Sequence, residues 1–319
     1  MVCCVHNRYR WLRLQGGGGV AALQQLPHTC RKWMIFAAIP CTVQGVELGP
    51  DLLKRYALGL AVATVALSMS GAGHACDDLR PGPKGTVTSV TDGDTVILDN
   101  GLVIRLIGTQ APKLPLGRED FVAWPKAEEA KARLEALVLG KPVEVRHGGE
   151  VRDRHDRVLG QIFVTGEPQL WVQRQMIAEG LARVYSFPDN RACLAELMAA
   201  ETSARTMKLG IWADPYYTVR RADRPAAIVE RAGQYELVEG RVLLAEKSGG
   251  RVFLNFGRYW KEDFTAVIDG RALRLFADSG LDPLVLEGAL LRIRGWVDDR
   301  DGPRIEVTHP EQIEVLAAR

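Results

Sequence analysis

GTVTSVTDGDTVILDNGLVIRLIGTQAP, residues 85–112, decides the fold. Gly85–Val90 is rich in Thr and Val and reads as a strand. Thr91-Asp92-Gly93-Asp94 turns the chain into a second strand, Thr95–Leu98. Asp99-Asn100-Gly101 is a strong two-strand turn signal, and Leu102–Ile107 follows as a third strand. This is a meander of short strands, so the domain is built on a β-scaffold.

Beyond residue 112 the period becomes helical. Trp124–Leu139 places Ala127, Ala130, Leu134, Leu137 and Val138 on one face, with Pro125 suited to a first turn and Gly140 as a stop. Val143–Val145 and Val158–Phe163 read as strands around a charged loop. Trp171–Glu179 is expected to be a second helix and Asp189–Leu209 a third, ending at Gly180 and Gly210. The polar, basic stretch 218–234, interrupted by Pro225, is read as a linker. Residues 235–319 carry strand runs at 237–244, 252–256, 264–268, 289–297 and 304–307, with a short helix near 271–279. Five strands and one helix suit a small OB-like β-barrel. In Leu291-Arg292-Ile293-Arg294-Gly295-Trp296 apolar and basic residues alternate, which puts Arg292 and Arg294 on one face, expected to be exposed. With Phe253–Trp260, where aromatics adjoin Arg258 and Lys261, this is a candidate nucleic-acid face of the second barrel.

At 47% hydrophobic and 25% charged, the 319-residue chain is globular rather than disordered, with room for two domains. Its N-terminal part is different in kind. Residues 1–50 hold four of the six cysteines and a Gly16–Gly19 run, and read as an upstream extension. Within 51–75, Lys54-Arg55 precedes an apolar run, Tyr56–Met69, too short to span a bilayer, and a small-residue exit at Gly73-His74-Ala75. That is the pattern of a secretory signal, and it implies an exported protein, periplasmic or extracellular. The whole chain carries a net +2. Residues 1–75 hold seven Lys/Arg and two Asp/Glu, so residues 76–319 carry 34 basic against 37 acidic side chains, a net of −3. Bulk attraction for polyanions is thereby excluded, and any nucleic-acid contact must be local. Cys76 and Cys193 remain after such a cleavage; they can pair in an oxidising compartment, and Cys76 is also a candidate lipid-anchor site.

The residues most suited to chemistry sit in the opening stretch. Asp92-Gly93-Asp94-Thr95 sets two carboxylates one residue apart in a glycine turn, where they can converge on a hard cation; the same pattern is also an ordinary hairpin turn. Arg105 follows in Ile104–Gly108, then Gln110-Ala111-Pro112-Lys113, the basic loop Arg152–Arg157, Gly180–Tyr185, and Gly210-Ile211-Trp212. In this order and spacing the series resembles the staphylococcal nuclease (thermonuclease) family over about 130 residues, 84–217. The resemblance implies a five-stranded OB-fold barrel with three packed helices, followed here by the second OB-like domain. It also implies metal-assisted hydrolysis of phosphodiester bonds in DNA or RNA.

Carried over, the resemblance assigns the metal to Asp94 with Asp92 beside it, and the phosphate clamp to Arg105 and Arg157, whose planar guanidinium forks match phosphate oxygens. Arg154 and His155 flank the clamp as candidate phosphate contacts, and Tyr185 and Phe187 lie near family aromatics that stack on the base. Two positions depart from the family's pattern. Gln110 stands where a second metal aspartate is expected, and Lys113 where a glutamate positions or activates water. The pocket is thus about three charges more positive than in relatives. A divalent cation, calcium by resemblance, should be weakly bound, and a protonated lysine takes no proton from water. Three outcomes stay open: another carboxylate (Glu119, Asp120 or Asp156) substitutes; Lys113 itself acts as base or holds phosphate; or the domain only binds, taking single-stranded nucleic acid or another envelope ligand without hydrolysis. No protein partner is inferable.

Overall fold

The computed structural model describes Cys76 and residues 79–318. The readings of 1–50 as an extension and 51–75 as an export signal fall outside those residues.

The first domain runs β1 (Arg80–Asp92), β2 (Thr95–Leu98), β3 (Val103–Leu106), β4 (Gly108–Gln110), α1 (Ala127–Val138), β5 (Pro142–His147), β6 (Val158–Val164), β7 (Leu170–Trp171), α2 (Val172–Ala178), β8 (Arg183–Tyr185) and α3 (Leu194–Thr206). β1 is long enough to serve two neighbours. Its first half, Arg80–Thr86, pairs antiparallel with β5, and its second half, Val87–Asp92, pairs with β2. β3 then meets β6 in parallel register, Ile104 opposite Val158, and closes a five-stranded barrel in the order β1-β2-β3-β6-β5. Alternation fills it: Val87, Val96, Leu98, Ile104, Val145 and Ile162 point inward, and Leu134 and Val138 of α1 and Met176 and Ile177 of α2 cover the barrel. Gly180 and Gly210, both at positive φ, let the ends of α2 and α3 touch through backbone. A Cβ on Gly180 would lie 2.3 Å from the Leu209 carbonyl, and one on Gly210 would lie 2.1 Å from that of Gly180.

The second domain runs β9 (Arg220–Arg221), α4 (Pro225–Val229), β10 (Tyr235–Arg241), β11 (Leu244–Ser248), β12 (Arg251–Asn255), β13 (Thr265–Ile268), α5 (Leu273–Asp278), β14 (Leu290–Asp298), β15 (Arg304–Val307) and β16 (Ile313–Ala317). β10 and β11 are two arms of one bent strand. The first pairs with β14 and the second with β12, and a parallel β13–β15 contact repeats the closure of the first barrel. The chain therefore carries two barrels with the same strand order.

Two expectations are corrected. Residues 218–234 are not a free linker: β9 adds to β10 in parallel, and Ala222 and Ile228 are buried in the second core. Arg292 and Arg294 do share a face, but that face is covered, not exposed. Arg294 is 0% exposed. It donates to Glu201 of α3 at 2.8 Å and to Glu314 of β16, so the second barrel presses this face onto the first domain. Tyr235 Oη donates to the Val184 carbonyl, Ser186 Oγ lies 2.7 Å from His309 Nε2, and Arg191 pairs with Glu311 across the same boundary. Cys76 and Cys193 form a disulfide. With its sulfur committed there, Cys76 has no thiol left for a lipid thioether.

Candidate active site

The Asp92–Asp94 turn is placed by packing. Gly93 sits so close to Ala111 and Ala130 that a Cβ would lie 2.5 Å from the Ala111 methyl. Both carboxylates are consequently driven inward: Asp92 is 6% exposed and Asp94 is 0% exposed. Asp94 accepts the Ala111 amide at 2.8 Å through Oδ2. Its main-chain oxygen accepts Arg105 Nη1 at 3.1 Å, and the same nitrogen lies 3.2 Å from Oδ1. The Arg105 guanidinium is further pinned by the carbonyls of Leu106 (2.6 Å) and Thr109 (2.7 Å). An arginine held by three carbonyls and a carboxylate keeps one orientation, which is what a phosphate clamp needs.

Lys113 completes this cluster. Its ammonium donates to both Asp94 oxygens, at 2.8 Å and 2.7 Å, and lies 3.6 Å from Asp92 Oδ2. Burial alone would push Asp94 upward, but Arg105 and Lys113 outweigh it and hold the carboxyl down at about 2. Asp92 is raised, by burial first and then by the neighbouring Asp94 charge, against the pull of Lys113 and Arg105. Gln110 does not join the pair. Its Oε1 accepts two N–H groups of the buried Arg183, at 2.9 Å and 2.7 Å, and Arg183 itself lies among the rings of Trp124, Tyr217 and Tyr235.

These residues form the floor of a cleft of about 930 Å³. Arg105, Lys113, Arg118, Arg152, Arg154 and Arg157 line it, with His155 between the last two. Phe121, Trp124, Tyr185, Phe187 and Trp296 supply rings. Arg157 is anchored by Asp153, which takes its Nε at 2.8 Å and its amide at 3.0 Å. Burial raises Asp153, but the Arg157 and backbone hydrogen bonds prevail and lower it. Asp153 and Asp189 are the two carboxylates on the cleft wall. Glu119 and Asp120 are exposed and do not line it, and Asp156 turns away to pair with Arg152. The structure thus brings Arg105, Arg157, Lys113, Gln110, Arg154, His155 and Tyr185 into one cleft, with Asp92 and Asp94 beneath Lys113.

Trp296 is the residue that sequence reasoning placed elsewhere. It comes from β14 of the second barrel, is half exposed, and donates Nε1 to Tyr185 Oη at 3.1 Å. The second domain therefore contributes a wall to the first domain's cleft.

The donor set does not fit a hard dication. Among the described residues no group of three His, Cys, Asp or Glu side chains converges as a metal site. The two carboxylates at the expected position already hold an ammonium.

The model of the staphylococcal nuclease homologue family matches residues 103–214. Protein ParB of Escherichia coli is 32% identical over 172 residues, which cover 51% of this chain and 88% of that protein. Micrococcal nuclease of Shigella flexneri is 32% identical over 141 residues, 41% of this chain and 75% of that protein. The chain belongs to the staphylococcal nuclease homologue family. A probable endonuclease of Phaeosphaeria nodorum is 33% identical over 141 residues, and there the match spans 45% of the relative's length, so family membership rests on the shared nuclease-like domain. The matched stretch takes in most of the first barrel and its three helices.

Proposed function

We propose that this chain is a nuclease that binds single-stranded DNA or RNA in the cleft and hydrolyses the phosphodiester bond lying against Arg105 and Lys113. The observation that carries the reading is the convergence of six cationic side chains and five aromatic rings on one cleft of a protein whose described barrels are otherwise near neutral or acidic. Arg105 arrives pre-oriented, and Lys113 has one of its three N–H donors left after Asp94 takes two. Together with Arg157 they can meet the charge that develops on phosphate oxygens during attack by water. Arg152 and Arg154 extend the positive track to flanking phosphates. Tyr185, Phe187 and Trp296 offer faces on which unpaired bases stack, which favours single strands over duplex.

A second reading is favoured by one observation. The carboxylates nearest the clamp are already engaged, Asp153 by Arg157 and Asp94 beneath the cleft by Lys113 and Arg105, which leaves Asp189 of the cleft wall as the one lining carboxylate outside these ion pairs. On that reading the cleft holds the polymer without cutting it. The two are separated by incubating labelled single-stranded DNA and RNA with the purified protein, with and without divalent cations, and following length and anisotropy together. Cleavage lost in Arg105→Ala supports the nuclease. Binding without cleavage supports the second reading, and absence of both sinks the proposal.

We also propose that the protein works outside the cytoplasm, in the periplasm or beyond. The leader pattern of residues 51–75 and a disulfide between Cys76 and Cys193 both support an oxidising compartment.

A further inference from the structure

We propose that the Lys113 ammonium is a tethered stand-in for a divalent cation, so that this member of the family assembles its phosphate site without metal. Lys113 plays this part whether the cleft cuts the polymer or merely binds it. A hard cation in this turn would be held by Asp94 and Asp92, and its charge would draw phosphate oxygens toward the floor of the cleft. Lys113 Nζ satisfies the same two requirements from within the chain. It sits 2.7 Å and 2.8 Å from the two Asp94 oxygens and 3.6 Å from Asp92, and it lies on the cleft surface with 24% of its side chain exposed. The local charge closes: two carboxylates, Asp92 and Asp94, meet two cations, Arg105 and Lys113.

A dication entering this site would have to displace an ammonium from both oxygens of a carboxylate with no exposed surface, and would then lie beside the displaced charge and Arg105. It would recover at most two carboxylates, because Gln110 is neutral and its oxygen is engaged by Arg183. Hard-cation affinity falls with each missing ligand charge. The substitution of Lys113 and that of Gln110 therefore act in one direction: the first fills the cation position and the second removes a ligand from it.

The test needs no nucleic acid. Calcium, magnesium and manganese are titrated into the purified protein by calorimetry, and thermal unfolding is followed with millimolar calcium or with EDTA. The wild-type protein should bind none of the three below millimolar concentrations, and its melting temperature should be the same in calcium and in EDTA. Lys113→Ala, which frees the Asp92–Asp94 pair, should melt lower in EDTA and recover several degrees in calcium. Lys113→Glu should gain a calorimetric calcium site at least tenfold tighter than that of Lys113→Ala. A wild-type protein that binds calcium at micromolar concentration overturns the proposal, whatever the variants do. So does a pair of folded variants that ignore calcium, because the turn would then not be a cation position at all. If the variants do not fold, the wild-type titration alone decides.

Discussion

Replacing Arg294 by Met should unfasten the two barrels. Arg294 has no exposed surface, and neither does its partner Glu201. The guanidinium donates to Glu201 Oε2 at 2.8 Å, to Glu314, and at 3.3 Å to the Val184 carbonyl. Burial would lower its affinity for the proton, but Glu201, Tyr235 and Glu314 raise it, so the charge is permanent. Removing it leaves Glu201 buried with only Arg205 at 3.1 Å and the Val184 amide at 2.7 Å. Breaking one side of a buried pair costs about 3–5 kcal/mol. Arg294 Nε is itself buried without a partner, and that standing cost disappears with the arginine, which favours the lower end, about 3 kcal/mol. For a unit of this size that is a fall of roughly 6–12 °C in melting temperature. Differential scanning calorimetry should show one transition in the wild type. Adding Glu201→Gln should restore at least half the loss, since the amide still accepts from Val184 while the stranded charge is gone. An Arg294→Met protein within about 1 kcal/mol of wild type, or a double variant that melts no higher than the single, would show that this ion pair does not fasten the barrels.

Three further outcomes are expected. Burial holds His309 down at about 4, and it bridges the barrels through Ser186 and Thr308. Its folded value lies below the unfolded one near 6.5, so stability should be full above pH 6.5 and fall by up to about 3 kcal/mol as pH drops from 6.5 toward 4. Urea unfolding across that window should show the slope flattened in His309→Gln, and an unchanged slope counts against it. Trp296→Ala should weaken single-stranded oligonucleotide binding by about 5–150-fold, the range of one lost base stack, read by anisotropy; an unchanged affinity would remove the second barrel from the binding surface. Cys193→Ser opens a link between residues 117 apart in sequence and should cost about 2–5 kcal/mol in denaturant unfolding, with reduction of the wild type giving a similar loss.

The strand skeleton was largely legible because it depends on local pattern. The three strands of the meander form where read, with Val87, Val96, Leu98 and Ile104 buried between them, and the Asp99–Gly101 turn joins its two strands. Residues 218–234 were misread for the converse reason: β9 has two residues and α4 five, too short for any period, and both are stabilised by β10 and the second core. β16 escaped notice behind Pro310, being a five-residue run whose outer positions stay exposed. In the site, Asp94 and Arg105 were readable from one motif, and the structure brings them within 3.2 Å of each other. The partners of Lys113 and Gln110 were not, since they lie 19 and 73 residues away, and sequence distance says nothing about which cation faces which oxygen. The alternation at Arg292 and Arg294 established a shared face correctly. Whether that face meets water depends on α3, which arrives from another domain.

The Lys113 and Gln110 contacts also constrain each other. Had residue 113 alone become lysine, with an aspartate kept at 110, a third carboxylate would stand at the end of β4 beside Arg183, the nearest cation on that side. Arg183 is buried among aromatic rings, and burial lowers its own affinity for the proton, so an aspartate there would form a buried ion pair. Such pairs commonly return little net stability because both ions lose their water. A neutral amide still accepts two N–H groups from Arg183 without adding a second buried charge beside it. Had residue 110 alone become glutamine, with the glutamate that the resemblance implies kept at 113, three carboxylates would face Arg105 with two unbalanced negative charges, and a metal or protons would be needed to close them. With both changes present, the floor of the cleft is balanced by the chain's own residues, and the walls keep an excess of cations facing the solvent. The cleft's attraction for phosphate then depends on protein side chains at every position. Its affinity for a polyanion should fall steeply with monovalent salt yet stay indifferent to chelators, a combination that a metal-assembled site would not show.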